Sequence, residues 1–208
     1  PTPVVSCNIV KRNAAAGIVI TASHNPGNWN GFKYRTQYGG CADPALLSVI
    51  QDQVHGVNAS SGVRKLGLAE GETQGLIRTI NPETLFFEQI EKIVDLQFIR
   101  ESGLKCVVDP MHGAGGGFFP KLVGNGKTTI HEIRGEQNPA FPGMHNPEPV
   151  AHNLEQLRQT IVEEKADVGL AMDGDADRVG LVDENGRFIT TLQVYALLAY
   201  YLLEIRGL

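Results

Sequence analysis

Short apolar runs alternate with amphipathic stretches along this chain. Val4–Val10, Gly17–Ile20, Leu104–Asp109, Thr129–Ile133 and Val168–Met172 are apolar runs of strand length, and each is predicted as a strand. Gly31–Tyr34 predicts one more short strand, and a further one is expected near Leu76–Ile80 within an otherwise polar loop from 57 to 80. Val179–Val182 and Arg187–Ile189 flank Asn185-Gly186, a strong two-residue hairpin turn. Helices are predicted where the apolar period lengthens. Asp43-Pro44 reads as a cap followed by a first-turn proline, with Leu46, Leu47, Ile50 and Val54 on one face as far as Gly56. Asn81-Pro82 repeats the signal, and the helical pattern then runs to about Glu101 with a break near Asp95. Leu154, Leu157, Ile161 and Val162 mark a further helix, and a last one starts at Thr190 or Thr191. Glu136–Val150 carries four prolines and is expected to be an irregular surface loop.

Strands alternating with helices predict an α/β fold: two α/β/α units with mixed, mostly parallel sheets, the first incomplete. The expected division is 1–82, 83–189 and 190–208, the last being a single helix. That helix is apolar nearly all round from Val194 to Leu203, so a contact between chains through residues 191–206 is expected. Its apolar stretch is too short to span a bilayer, so no membrane partner is expected.

Composition narrows the class. The 208 residues are 42% hydrophobic, enough to build cores, and the net charge of -5 gives no basic footprint for nucleic acid. Cys7, Cys41 and Cys106 lack metal-site spacing; Cys7 and Cys106 lie in apolar runs, which fits free thiols in a reducing cytoplasm. No signal peptide is visible. The chain starts Pro1-Thr-Pro-Val, so an excised piece of a longer protein is expected.

Two motifs carry chemistry, and both leave predicted strands, where α/β sheets gather ligands. Thr21-Ala-Ser-His-Asn-Pro26 puts the Ser23 hydroxyl on a loop fixed by proline. Asp173-Gly-Asp-Ala-Asp-Arg178 supplies three alternating carboxylates and a guanidinium. Hard oxygen donors of this kind select Mg2+ or Ca2+. Glu184 falls at the twelfth place of a calcium-binding EF-hand loop, but Arg178 stands where that loop needs its glycine, and the flanks are strands. A nucleophilic serine beside an acidic metal loop suggests phosphoryl transfer. His24 adjoins Ser23 in sequence, so a serine–histidine–aspartate triad is not indicated. Gly113–Gly117 could cradle phosphate at a helix start, but it lacks the following Lys-Ser/Thr, and close packing explains it more simply. His112, His131, His145 and His152 show no ligand spacing.

These stretches resemble the α-D-phosphohexomutase superfamily of phosphoglucomutases and phosphomannomutases. Thr21–Pro26 looks like its active-site serine loop, Asn30-Gly-Phe-Lys33 like the segment with its active-site lysine, and Asp173–Arg178 like its metal loop. Thr2-Pro-Val-Val5 is a weaker match. The resemblance implies that Ser23 carries the transferred phosphoryl group. It implies that Ser23, Asp173, Asp175 and Asp177 hold Mg2+, and that His24, Lys33 and Arg178 serve catalysis, Lys33 as the better acid–base candidate. The implied partners are hexose phosphate and hexose bisphosphate, the phosphoryl group moving between the 1- and 6-positions in an intramolecular phosphotransferase, an isomerase. It assigns 1–82 to the latter part of the family's first domain, 83–189 to the second, and 190–208 to the first helix of the third. No Gly-Glu-x-Ser-Gly sugar loop occurs before Leu208, so this stretch alone is expected to be inactive. A phosphoglucosamine mutase, a non-catalytic metal-binding module and a metal-dependent phosphatase are the rival readings.

Overall fold

A computed structural model describes residues 1–60 and 62–208, the side chains of 58–60 excepted. The chain forms two compact units that do not follow chain order. One comprises Pro1–Pro3, Ile20–Phe32 and Gln89–Leu208; the other comprises Val4–Val19 and Lys33–Glu88.

The larger unit is built on a five-stranded sheet. Its strands are β3 (Lys105–Asp109), β4 (Thr129–Glu132), β5 (Val168–Met172), β6 (Val179–Asp183) and β7 (Phe188–Ile189), in the order β4-β3-β5-β6-β7. β3 pairs in parallel with both β4 and β5, in the register Val107↔His131 and Val107↔Gly169. β6 and β7 add antiparallel strands, so the sheet is mixed as predicted. Helix α7 (Glu155–Glu164) closes on β3 and β5 through Leu157 and Ile161, one turn apart on one face and fully buried. Gly169 makes that closeness feasible: a Cβ there would stand 2.3 Å from Ile161 Cδ1. Leu154, Val107, Ala171 and Val182 complete this core. Helices α4 (Glu83–Ile93) and α5 (Leu96–Glu101) are separated where Asp95 caps the second, its Oδ1 accepting from the Phe98 N–H at 2.9 Å. α6 (Phe118–Val123) packs on α5 and β4. α8 (Thr191–Tyr200) starts at a capping box between Thr190 and Gln193 and continues as a π turn over Tyr201–Ile205. Leu192, Tyr195 and Leu197 on it are more than 60% exposed. No helix of the described residues is long and apolar enough to cross a membrane.

The smaller unit holds most of α1 (Thr2–Lys11), of β1 (Ala16–Ile20) and of β2 (Phe32–Thr36), together with α2 (Pro44–Ser60) and α3 (Leu68–Thr73). β1 and β2 pair as a two-stranded sheet. Three expectations fail here. Val4–Val10 is helix, not strand. A seven-residue apolar run fits either period, and burial of Val4 and Asn8 on one side, with Asn8 Nδ2 bonded to the Val4 and Pro82 carbonyls, selects the helix. α2 runs past Gly56, which lies inside it. Glycine lowers helix propensity by only about 1 kcal/mol, too little to end a helix alone. Residues 76–80 are not strand; α3 precedes them, and the Leu76 and Ile77 N–H groups bond the Gly71 carbonyl as its C-terminal closure. The three cysteines are free, with Cys106 buried, Cys7 half-buried and Cys41 exposed.

The α7 seam gives a direct test. Leu157→Ala removes a fully buried side chain from between β3 and β5, and is expected to destabilise the larger unit by about 2–5 kcal/mol, read from denaturant unfolding.

Candidate active site

Ser23 stands just past β1 in a tight turn. Thr21 Oγ1 accepts the Ser23 N–H at 2.8 Å, and the Asn25 N–H returns to the Ala22 carbonyl at 3.0 Å. Thr21 N–H to Gly31 carbonyl, 3.1 Å, closes the loop at its base. Ser23 itself takes a left-handed φ of 58°, an uncommon conformation for a serine that presents its hydroxyl at the tip.

The acidic loop leaves β5 in the same unit. Its residues fold back on Asp173: Oδ1 accepts the Asp177 and Arg178 N–H groups, each at 3.0 Å, and the Ala176 N–H bonds the Asp173 carbonyl at 3.0 Å. Ser23 Oγ donates to the other oxygen, Oδ2, at 3.2 Å. Asp173 is fully buried, Asp175 nearly so, and Asp177 exposed, and one oxygen from each lies within 4.8 Å of the others. Asp175 is held from outside the loop: Thr2 donates its hydroxyl to Oδ2 at 2.5 Å and its N–H to the Asp175 carbonyl at 2.8 Å.

Gly174 sets how close the two loops come. A Cβ at that position would sit 2.3 Å from the Ser23 carbonyl oxygen, so a side chain there would force the serine turn away. On its other side Gly174 meets the glycine-rich turn after β3. The Ala114 N–H bonds the Gly174 carbonyl at 2.9 Å, and a Cβ on Gly113 would meet that same carbonyl at 2.6 Å. Gly113–Gly117 therefore braces the acidic loop through close packing.

The sequence-predicted residues fall into two groups. Ser23, Asp173, Asp175 and Asp177 converge. His24 and Arg178 lie beside them: Arg178 Nε is 4.0 Å from Asp173 Oδ2, and the His24 ring faces Glu148. Lys33 lies half-buried on β2, in the smaller unit. Trp29 is 63% exposed. Asn146 and Glu148 were not singled out by sequence, and Thr2 entered only through the weaker family match. Asn146 Nδ2 donates to the His24 carbonyl at 2.9 Å, so the proline-rich segment, expected as plain surface loop, pins the serine turn. Its only sequence signal is an Asn-Pro-Glu-Pro run, whose prolines fix φ around two polar side chains.

Burial and the charges of Asp175 and Asp177 push the Asp173 carboxyl up from 3.8 to about 6, against the downward pull of the Arg178 and Asp177 N–H groups. Three oxygens this close, with one carboxylate reluctant to ionise, fit a hard divalent cation, which replaces mutual repulsion by attraction. The sign of the pH effect follows. The folded state binds the Asp173 proton more tightly than the unfolded state, so this stabilisation is present below pH 3.8 and lost as pH rises through about 6. In chelator, Asp173→Asn is expected to melt about 2–4 °C above the native protein at pH 8 and to match it at pH 4. Mg2+ is expected to raise the native melting point at pH 8 and leave the variant unchanged. Parallel melting curves across pH in both proteins would overturn this account.

Comparison with known proteins agrees with this geometry. Residues 84–186 match the phosphoglucomutase/phosphomannomutase alpha/beta/alpha domain II, and residues 1–60 match domain I of the same family. A Pyrococcus abyssi protein named a probable phosphoglucosamine mutase is 34% identical across 100% of this chain, which spans 43% of that protein's length. A phosphoglucomutase/phosphomannomutase of Thermococcus kodakarensis is 31% identical over 100% of this chain and 44% of its own. A crystal structure from Thermus thermophilus, with a provisional phosphomannomutase assignment, superposes with a TM-score of 0.84 at 32% identity, covering 98% of this chain and 44% of that one. The α/β fold, the order of the motifs and both domain matches agree: the chain belongs to the phosphoglucomutase/phosphomannomutase family of the α-D-phosphohexomutase superfamily.

Proposed function

We propose that the protein to which this chain belongs is a phosphohexomutase, moving a phosphoryl group between the 1- and 6-positions of a hexose phosphate through Ser23. The observation that supports this most directly is the 3.2 Å contact of Ser23 Oγ with Asp173 Oδ2 inside a cluster of three carboxylates. A hydroxyl held against an acidic cluster makes little sense for a neutral acyl substrate. It suits a phosphoryl group, whose transfer depends on positioning and charge neutralisation.

Ser23, Asp173, Asp175 and Asp177 would hold Mg2+, which supplies positive charge against the carboxylates and the phosphoryl oxygens. In the forward half-reaction the bond from phosphorus to Ser23 Oγ breaks, and a bond from phosphorus to a sugar hydroxyl oxygen forms. The sugar hydroxyl gives up its proton to a base and the leaving Ser23 Oγ takes one from an acid, acid–base work for which Lys33 is the better candidate and His24 the second. Arg178 stabilises the equatorial oxygens of the group in flight. The return half-reaction transfers the other phosphate of the bisphosphate back to Ser23 Oγ and restores the phosphoserine. The left-handed turn at Ser23 supports this role by keeping the hydroxyl at the tip, where it need not reorganise between steps.

Residues 1–82 and 83–189 are proposed to correspond to part of the family's first domain and to its second, with 190–208 starting a third. The chain covers less than half of its relatives' length, so the sugar-holding residues are proposed to come from the remainder. Several relatives are named probable phosphoglucosamine mutases, which favours an amino sugar phosphate as the second reading.

Intact-mass analysis is expected to show one added phosphoryl group on the native protein and none on Ser23→Ala. In the full-length protein, Ser23→Ala is expected to lower mutase turnover by roughly three orders of magnitude or more, the scale of losing a catalytic nucleophile. Release of inorganic phosphate without isomerisation would instead favour a phosphatase. Comparing kcat/KM for glucose 1-phosphate, mannose 1-phosphate and glucosamine 1-phosphate decides the sugar.

A further inference from the structure

Glu148 sits between two prolines in Asn146-Pro147-Glu148-Pro149, and its position is fixed at three atoms. Its N–H donates to the Asn146 carbonyl at 2.9 Å, its carbonyl accepts from the buried Asn153 Nδ2 at 2.9 Å, and its Oε2 accepts from Asn146 Nδ2 at 3.2 Å. Pro147 lies against Gly174, so the turn is seated on the acidic loop itself. The remaining oxygen, Oε1, is thereby aimed at the Arg178 guanidinium and the His24 ring. It lies 3.4 Å from Arg178 Nη1 and 4.0 Å from His24 Nε2. The other ring nitrogen of His24, Nδ1, is buried without a hydrogen-bond partner among the described residues, and Nε2 faces Glu148.

A carboxylate fixed in place beside the guanidinium of a phosphoryl site is costly to retain without a purpose, because it repels the anion that guanidinium is there to meet. Its pair with Arg178 is long, and the Arg178 side chain is 46% exposed, so the contact adds little to stability. A phosphoryl group offers several charged oxygens in the fork geometry that guanidinium prefers, and it displaces such a loose single contact readily.

We propose that Glu148 is a positioning residue: a resident anion that keeps Arg178 and His24 extended toward the site and hands Arg178 over to the phosphoryl group of the substrate. This rests on the mutase reading of the site. The hand-over makes two demands that a merely structural role does not. Removing the charge must ease binding of a phosphate anion, since its competitor is gone. It must also slow transfer, since Arg178 and His24 lose the group that orients them.

Glu148→Gln separates these effects. The amide oxygen can still accept from Asn146, so the melting temperature is expected to stay within about 2 °C of native. In this chain, with Mg2+ present, inorganic phosphate is titrated while the Arg178 Nε–H signal is followed by NMR. The variant is expected to bind phosphate roughly threefold or more tightly than the native chain, the direction set by removal of a like charge. Equal or weaker binding, or no phosphate-dependent shift at Arg178 in either protein, overturns the proposal. In the full-length protein, the variant is expected to lose roughly tenfold or more in kcat, with the Mg2+ requirement unchanged. Combined with Arg178→Ala it is expected to lose clearly less than the product of the two single losses, because both act largely through the same guanidinium. Unchanged kcat, or losses that multiply, also overturn it. If the native full-length protein moves no phosphoryl group, the mutase reading falls, and the phosphate titration still decides what Glu148 does.

Discussion

Everything at this site depends on holding three like charges closer together than they would choose to be. The acidic loop manages it by turning back on Asp173, whose Oδ1 takes two backbone N–H groups while Oδ2 takes the Ser23 hydroxyl. Thr2 fixes Asp175 from a distant part of the sequence with a side-chain and a main-chain bond. None of these donors cancels the charge, and the Asp173 carboxyl remains pushed up to about 6. The loop is thus folded into an arrangement that a hard cation completes. The same arrangement holds the serine against the cluster, so the spacing of the carboxylates and the position of the Ser23 hydroxyl are set by one piece of geometry.

Much of this could be read from residues, because the chemistry lies in contiguous motifs at strand ends. The Ser23 turn and the Asp173–Arg178 loop each follow an apolar strand, in two different sheets, and strand ends are where sheets of this kind gather ligands. The order of helices and strands from Glu83 to Leu208 was legible for the same reason: caps at Asp95 and Thr190 and the Asn185-Gly186 turn are local signals. Val4–Val10 was not legible, because a short apolar run carries no period of its own. What decided it was the Pro82 carbonyl meeting Asn8, a contact that lies far along the chain. The contacts made by Thr2 and Asn146 were invisible likewise. Each of the two is an ordinary polar residue whose meaning comes from a partner more than a hundred positions away.

The glycines show how packing limits translate into function. Gly174 lets the backbone of Ser23 approach the acidic loop, since any Cβ would collide with the Ser23 carbonyl. Gly113 does the same on the opposite side. Three backbone segments are thus stacked at a spacing that side chains would prevent, and Ser23 and the acidic loop inherit their separation from that stack.

Beneath the site runs a buried polar chain that explains why the proline-rich segment is ordered enough to matter. Asp109, at the end of β3, is paired with Arg134, and both side chains are removed from solvent. A buried pair of this kind adds little net stability, but breaking it by removing one partner is costly, so it fixes where β3 and the segment after β4 end. Arg134 Nη2 donates onward to the Asn153 carbonyl at 3.1 Å, Asn153 Nδ2 donates to the Asn146 carbonyl at 3.0 Å, and Asn146 Nδ2 donates to the His24 carbonyl at 2.9 Å. Each link satisfies a polar group that would otherwise be costly to bury. The serine turn is therefore tied to the rigid end of the sheet through side chains and backbone carbonyls, not through neighbours in sequence. This chain of bonds holds the turn that carries the Ser23 hydroxyl in place against the end of β3.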